Sequence, residues 1–161
     1  MSPARIAPAD PAGSDAALCL AAYFAELARR FPGGFDPGPP ADPACYRPPR
    51  GVFLIARTDD GPVGCVALAA DGPGRGEVKR LWVAPTARGT GLGGRLMVAV
   101  EEAARALGLL HLRLDTHPSL TEAQAMYAAR GWSAIPRYND NPHAGHWYEK
   151  RLGVAAGGAA G

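Results

Sequence analysis

The stretch VKRLWVAPTARGTGLGGRLM, residues 78–97, decides the fold. With Glu77 before it, EVKRLWV reads as a strand, with Val78 and Trp82 on one face and Leu81 and Val83 on the other. Its last residues open an amphipathic helix. Leu92, Leu96, Val100, Ala103 and Leu107 share one face, and Gly108 supplies a C-terminal stop. Between strand and helix stand Gly89, Gly91, Gly93 and Gly94. A helix N-terminus exposes unpaired backbone N–H groups and about half a positive charge. Glycines let the main chain approach an anion and adopt positive φ. Arg88 and Arg95 flank the loop and can add charge-assisted bonds. A turn alone does not need this many glycines, so the loop is read as a pyrophosphate site.

Upstream of this stretch, GVFLIAR is a strand, Asp60-Gly61 favours a tight hairpin turn, and PVGCVALAA returns. DGPGRG is a second turn, so the strands up to EVKRLWV form an antiparallel meander. ARIAPAD opens the chain with a short strand. Ser14 or Asp15 can cap a helix running to about Phe31, with Leu20, Phe24, Leu27 and Phe31 on one face. PGGFDPGPPADP breaks that helix and begins a loop to about Pro49, long enough to serve as a lid or binding loop.

Downstream, LLHLRLD follows a strand and a helix, so it is expected to pair parallel to EVKRLWV through a right-handed crossover. TEAQ, Thr121 to Gln124, fits a helix-start capping box. That helix carries Ala123, Met126 and Tyr127 and stops near Gly131. WSAIP is a short strand, RYNDNPHAG a loop and HWYEKRL a last strand. GVAAGGAAG has no side chains able to bury area and reads as a frayed tail. The order is β-α-loop-β-β-β-α-β-α-β-β, a mixed, mainly antiparallel α/β sheet with one central parallel pair. The expected division is one domain over residues 1–152 and a tail over 153–161.

Bulk composition narrows the function classes. A chain of 161 residues suits one core. A net charge of +2 gives no argument for nucleic acid or a membrane surface. Cys19, Cys45 and Cys65 are odd in number and lack C-x-x-C spacing, which points to free thiols in a reducing compartment. His143 and His146 form one H-x-x-H, but nothing nearby completes a zinc set, so no metal is expected. The apolar run from Ala16 is too short to span a bilayer, and Asp10 and Asp15 precede it, unlike a signal peptide. A soluble, cytoplasmic protein is expected.

Two templates match the glycine loop. Gly89, Gly91 and Gly94 spell G-x-G-x-x-G, the dinucleotide fingerprint, and Asp115 falls where a ribose-binding acid would sit. Three features oppose that template. APTAR separates the strand from the glycines, too few βα units follow, and the preceding half is a meander. Arg88, Gly91 and Gly93 instead spell R-x-x-G-x-G. In this context VKRLWVAPTARGTGLGGRLM resembles motif A of the GCN5-related N-acetyltransferase superfamily. TEAQAMYAARGW resembles the next motif, and the two together cover roughly Glu77 to Trp132.

The resemblance implies an acyl-CoA N-acyltransferase fold, in which the central parallel pair splays apart and admits the pantetheine arm of acetyl-CoA. It implies that the backbone of Leu81, Trp82 and Val83 bonds the arm, with the Val83 N–H facing the thioester carbonyl as an oxyanion donor. Arg88, Gly89, Thr90, Gly91, Leu92, Gly93 and Gly94 would wrap the pyrophosphate. Tyr127 matches the tyrosine near the coenzyme sulfur and would protonate the leaving thiolate. Glu77 matches a position where many relatives carry a general base, with Asp115 and His117 as lesser candidates. Leu120 departs from the pattern, since many relatives carry an asparagine there against the arm; Ser119 or Thr121 could substitute.

The implied activity is transfer of an acetyl group to a primary amine of a small molecule or peptide, by direct attack through a tetrahedral intermediate. The acceptor would approach from the face opposite the coenzyme, lined by the first helix, its following loop and the loop before the last strand. Phe35, Tyr46, Tyr138, Asp140, His146 and Trp147 are its candidate contacts, and Asp36 and Asp140 could attract a cationic amine. Dimers are common among such relatives, so a homodimer is a further expectation. A coenzyme-binding sensor without turnover and an NAD(P)-binding protein are the alternatives.

Overall fold

The computed structural model describes residues 3–153. Its elements are β1 (Arg5–Pro8), α1 (Ser14–Arg30), β2 (Gly51–Thr58), β3 (Gly61–Gly72), β4 (Arg75–Val83), α2 (Leu92–Ala106), β5 (His111–Thr116), α3 (Thr121–Ala129), β6 (Ser133–Ile135) and β7 (His146–Arg151). This is the order expected from the sequence, with short 3₁₀ turns added at Pro43–Tyr46 and Pro85–Ala87. Except for Gly153, the expected tail lies outside the described residues. Among the described residues no helix is long and apolar enough to cross a membrane, and no cluster of three His, Cys, Asp or Glu could hold a metal.

All seven strands form one sheet in the order β1-β2-β3-β4-β5-β7-β6. Every neighbouring pair is antiparallel except β4 and β5. That parallel pair holds only where Arg75, Gly76 and Glu77 face His111, Leu112 and Arg113. Both strands continue past this point without pairing, so the sheet opens between their C-terminal ends. A doubly wound dinucleotide fold needs a mostly parallel sheet, and this topology excludes it.

The sheet buries residues on both faces. One face packs Val66, Leu68, Leu112 and Leu114 against Leu96, Met97 and Val100 of α2. The other packs Phe53, Ile55, Cys65 and Ala67 against Ala16 and Cys19 of α1. The α1 residues fully buried in this cluster are therefore small, which lets that part of the helix lie close to the strands. The expected α1 face of Leu20, Phe24, Leu27 and Phe31 is only partly observed. Leu27 and Phe31 are buried, while Phe24 turns to the following loop and stacks on Phe35, ring centroids 5.6 Å apart.

Strand β4 departs from simple alternation. Cys65 pairs with Trp82 but Ala67 with Lys79, so β4 carries one extra residue there. Arg80 sits in this bulge with φ 62°. The bulge reverses the parity of everything after it. Val78 joins the α2 side of the sheet and Trp82 the α1 side, whereas strict alternation placed them on the same face.

Three local expectations fail for identifiable reasons. Gly13 caps α1 and neither Ser14 nor Asp15 makes a cap bond; Asp15 instead accepts from Arg57 Nε at 2.9 Å. The α3 start lacks a side-chain cap, because Gln124 Nε2 turns back to the carbonyls of His117 and Pro118, each at 3.1 Å. Tyr46 is buried against Phe53 in the α1-side core, ring centroids 6.3 Å apart. It supports the sheet there and lines neither of the two cavities described below.

Candidate active site

The opening in the sheet leads into two cavities. The first, of about 1100 Å³, is bounded by the glycine loop, by Leu81, Trp82 and Val83 of β4, and by α1 and α3. Gly91 is the N-cap of α2 with φ 83°, and Gly89 has φ 78°. A Cβ at either position would meet no atom within 4 Å, so glycine is needed there for its backbone conformation. No side chain caps α2. Its first-turn N–H groups therefore point into the cavity without intrahelical partners, an arrangement suited to a phosphate. A Cβ on Gly93 or Gly94 would stand 3.4 Å from Met126 Sδ or Arg130 Nη1. These two glycines are therefore where the first turn of α2 lies against α3 and the Arg130 side chain at its end.

Arg88 and Arg95 line this cavity. Arg88 donates from Nε to the Val83 carbonyl at 3.0 Å and from Nη2 to Glu26. Arg95 donates to the Ala4 carbonyl at 2.7 Å. Glu26 also meets Arg30 at 3.4 Å, and Arg30 Nη2 reaches Glu122 at 3.1 Å. Alternating charges thus run from the loop across α1 to α3, roofing the cavity. The sequence reading missed this chain, because its members come from three separate segments. Leu120, where an asparagine was expected, offers this cavity an apolar wall. Ser119 Oγ is bonded to His117 Nδ1 at 2.8 Å.

The second cavity, of about 820 Å³, lies on the other side of the opening. Glu77 Oε2 accepts from Tyr138 Oη at 2.7 Å and from Asn139 Nδ2 at 3.4 Å. Asn139 Nδ2 also donates to Asp115 Oδ2 at 2.6 Å, and Asn141 Nδ2 donates to Asp115 Oδ1 at 3.1 Å. Trp147 Nε1 donates to Asn139 Oδ1 at 2.9 Å, which fixes the orientation of that amide. Asn139 therefore ties the two carboxylates into one network. Burial, followed by the hydrogen bond and charge of Glu77, pushes the Tyr138 phenol far up, so it remains a donor. The opposite wall is aromatic. His117 stacks on Phe31 at 3.7 Å between centroids, and Phe35 meets His143 at 4.7 Å.

Tyr23, Leu27, Leu81, Leu120 and Ala123 line both cavities, so the two spaces meet there. Tyr127 stands one helical turn after Ala123 and lines the second cavity. Burial, then the nearby Tyr23, Asp115 and Tyr148, raise its phenol well above the ordinary range. Burial likewise pushes Tyr23 up to about 12, against the opposing charge of Arg80. Both phenols stay protonated near neutral pH.

The family model described as "Acetyltransferase (GNAT) family" matches residues 20–132, a span that includes the loop, both cavities' junction and α3. The chain belongs to the acetyltransferase (GNAT) family. It is 38% identical over 99 residues to an uncharacterized N-acetyltransferase of Schizosaccharomyces pombe, covering 60% of this chain and 61% of that protein. It is 45% identical over 82 residues to an IAA acetyltransferase of Azospirillum brasilense, covering 50% and 54%. The matches thus span little more than half of each curated relative. A solved structure from Klebsiella pneumoniae, a candidate acyl-CoA N-acyltransferase, superposes with a TM-score of 0.73 at 27% identity, over 92% of this chain and 97% of that one.

Within this GNAT frame, the structure gathers Leu81, Trp82, Val83, Arg88, Gly89, Gly91, Leu92, Gly93 and Gly94 around the first cavity. Thr90 lies in the same loop and turns its hydroxyl to the Ala87 carbonyl at 2.5 Å. Glu77, Asp115, His117, Tyr127, Phe35, Asp36 and Tyr138 fall around the second. Asp140 and His146 are exposed and line neither cavity. Trp147 acts one step back, through Asn139. In the second cavity, Asn139, Asn141 and His143 are further site residues that sequence reading passed over. The only signal for them was a polar loop before the last strand.

Proposed function

We propose that this protein transfers an acetyl group from acetyl-CoA to a primary amine of a small molecule or peptide, by direct attack. The observation that carries this reading is the meeting of two cavities at an opening in the sheet. One is built for an anionic, arm-like cosubstrate, and the other is lined by carboxylates and aromatics.

The first cavity fits acetyl-CoA. The α2 N-terminus and the positive-φ loop suit its pyrophosphate, and the unpaired edge of β4 beyond Glu77 suits its amide arm. Ala84 N–H donates to the Val63 carbonyl at 2.8 Å. Alternation along the ladder then turns the Val83 N–H toward the opening, where it would stabilise the developing oxyanion. An amine attacks only when neutral. Glu77, held by Tyr138 and Asn139, is the group assigned to take its proton, directly or through water. Tyr127 is assigned to protonate the departing thiolate.

A thiol-release assay with acetyl-CoA and a panel of amines tests the reading. Release that depends on both substrates is the expected outcome. Absence of coenzyme A binding by calorimetry overturns it, and binding without turnover on any amine would instead favour a sensor.

A further inference from the structure

The charges lining the second cavity do not all cancel within the protein. Three cations line it: Lys79, Arg80 and Arg113. Arg113 is engaged by Asp71 at 3.0 Å and by the Tyr138 ring at 3.9 Å. Lys79 meets Glu77 at 3.4 Å. Arg80 has no carboxylate and no hydrogen-bond acceptor among the described residues; its guanidinium lies over the Phe24 ring at 5.0 Å. On the acidic side, Asp115 is held only by the neutral amides of Asn139 and Asn141. Asp36, at the rim, accepts only from the Gly38 N–H at 2.9 Å among the described residues. The cavity therefore offers one unmatched guanidinium and two carboxylates, Asp36 and Asp115, without a cation.

Arg80 also occupies a conformation that argues for its side chain. Its φ of 62° lies in the left-handed region, which costs an L-residue about 1–2 kcal/mol and which glycine adopts freely. An arginine there is conformationally disfavoured, and what the position gains is a guanidinium. That charge opposes the effect of burial on Tyr23, which places it within electrostatic reach of the junction of the cavities. Glu77 and Arg80 stand three residues apart on one strand, about 10 Å along it. Their side chains and a compact molecule can span that distance.

We infer that the acceptor is an amine that also carries a carboxylate, an amino-acid-like zwitterion with a flat apolar side chain, and that Arg80 binds its carboxylate. This rests on the acetyltransferase reading of the same site. The ammonium group faces Glu77 and Asp115, the carboxylate takes the fork of Arg80, and the side chain lies on the wall of Phe31, Phe35, His117 and His143. An arginine–carboxylate fork gives geometric selection as well as charge.

The test compares phenylalanine with 2-phenylethylamine, which differ only by the carboxylate, in calorimetric titrations of protein loaded with coenzyme A. Wild-type protein should prefer phenylalanine by about tenfold or more, the range of a charge-assisted hydrogen bond. In Arg80→Gln the preference should fall to about one, and Arg80→Lys should keep part of it. Equal affinity for the two ligands in the wild type overturns the inference. So does a preference that survives Arg80→Gln. The coenzyme titration that precedes each experiment reports separately on the acetyltransferase reading. If coenzyme A fails to bind, the amino-acid titration of the free protein still decides the role of Arg80.

Discussion

Tyr127 is buried between Trp132 and Tyr148, ring centroids 6.1 and 5.7 Å away, yet its hydroxyl makes no hydrogen bond among the described residues. Packing thus accounts for the ring and leaves the hydroxyl available for chemistry. Tyr127→Phe should leave the melting temperature nearly unchanged, because no internal hydrogen bond is lost. It should lower kcat by about 10²-fold or more, the range of a lost general acid, with little change in KM for acetyl-CoA. Steady-state kinetics check this, and an unchanged kcat would remove Tyr127 from the acid role. His117 gives the pH dependence. Burial, then the charge of His143, hold its pKa below the ordinary 6.5. The folded state therefore favours neutral His117, and its contribution is complete above pH 6.5. As pH falls below that value the unfolded chain takes the proton first, so stability is lost toward the depressed folded pKa. Thermal melts should fall from about pH 6.5 downward, less steeply in His117→Gln; identical slopes would exclude His117 as a source. At this scale the placement of the glycines at the first cavity and of Glu77 and Tyr127 at the second was legible, because the glycines fill one short loop, Glu77 precedes that motif and Tyr127 lies within the next. Arg80 was not legible as a ligand group, because a bulge leaves no local sign in a run such as VKRLWV.

Elements were legible where periodicity carries the information and illegible where a side chain chooses between local partners. The helix face of α2 illustrates the first case, with Leu92, Leu96 and Val100 all buried as their spacing predicts. The TEAQ segment illustrates the second. Its capping-box pattern is present, but the carbonyls of His117 and Pro118 compete for Gln124 and take it. A buried tie between elements on the α2 face was also invisible in sequence. Lys150 of β7 donates to Glu101 of α2 at 2.9 Å and to the Arg130 carbonyl at the end of α3 at 2.8 Å. Glu101 is 5% exposed, and its second oxygen lacks a partner among the described residues. Lys150→Met would strand a buried carboxylate, which costs about 3–5 kcal/mol. For a chain of this size the melting temperature should drop by roughly 10 °C. The double change Glu101→Leu, Lys150→Met should recover most of the loss, because hydrophobic packing can replace a buried pair. If the double variant melts as low as the single one, the destabilisation comes from packing and not from the stranded charge.

At the scale of the whole molecule, the sheet brings two cavities together, and their junction supplies no covalent carrier. Of the five residues that line both cavities, Tyr23 alone has a side-chain heteroatom. With its phenol pushed up to about 12, it is a poor nucleophile at neutral pH. Cys19 of α1 and Cys65 of β3 are buried between that helix and the sheet, and none of the three cysteines lines either cavity. On the proposed reading, an acetyl group therefore leaves the coenzyme only when an acceptor already occupies the second cavity. The kinetic consequence is a sequential mechanism through a ternary complex. Double-reciprocal plots at varied acetyl-CoA and fixed amine should intersect, and acetyl-CoA mixed with enzyme alone should release no stoichiometric burst of thiol. Parallel lines, or a burst equal to the enzyme concentration, would require a covalent acyl-enzyme that this junction has no residue to form. The same geometry explains why the acceptor was the least legible part of the sequence. The aromatic wall assigned to it is assembled from the end of α1 and three loops, those after α1, after β5 and before β7, and no single segment carries a pattern for it. The glycine-loop side of the first cavity comes from one strand–loop–helix unit and could be read in a single stretch, whereas its roof from α1 and α3 could not.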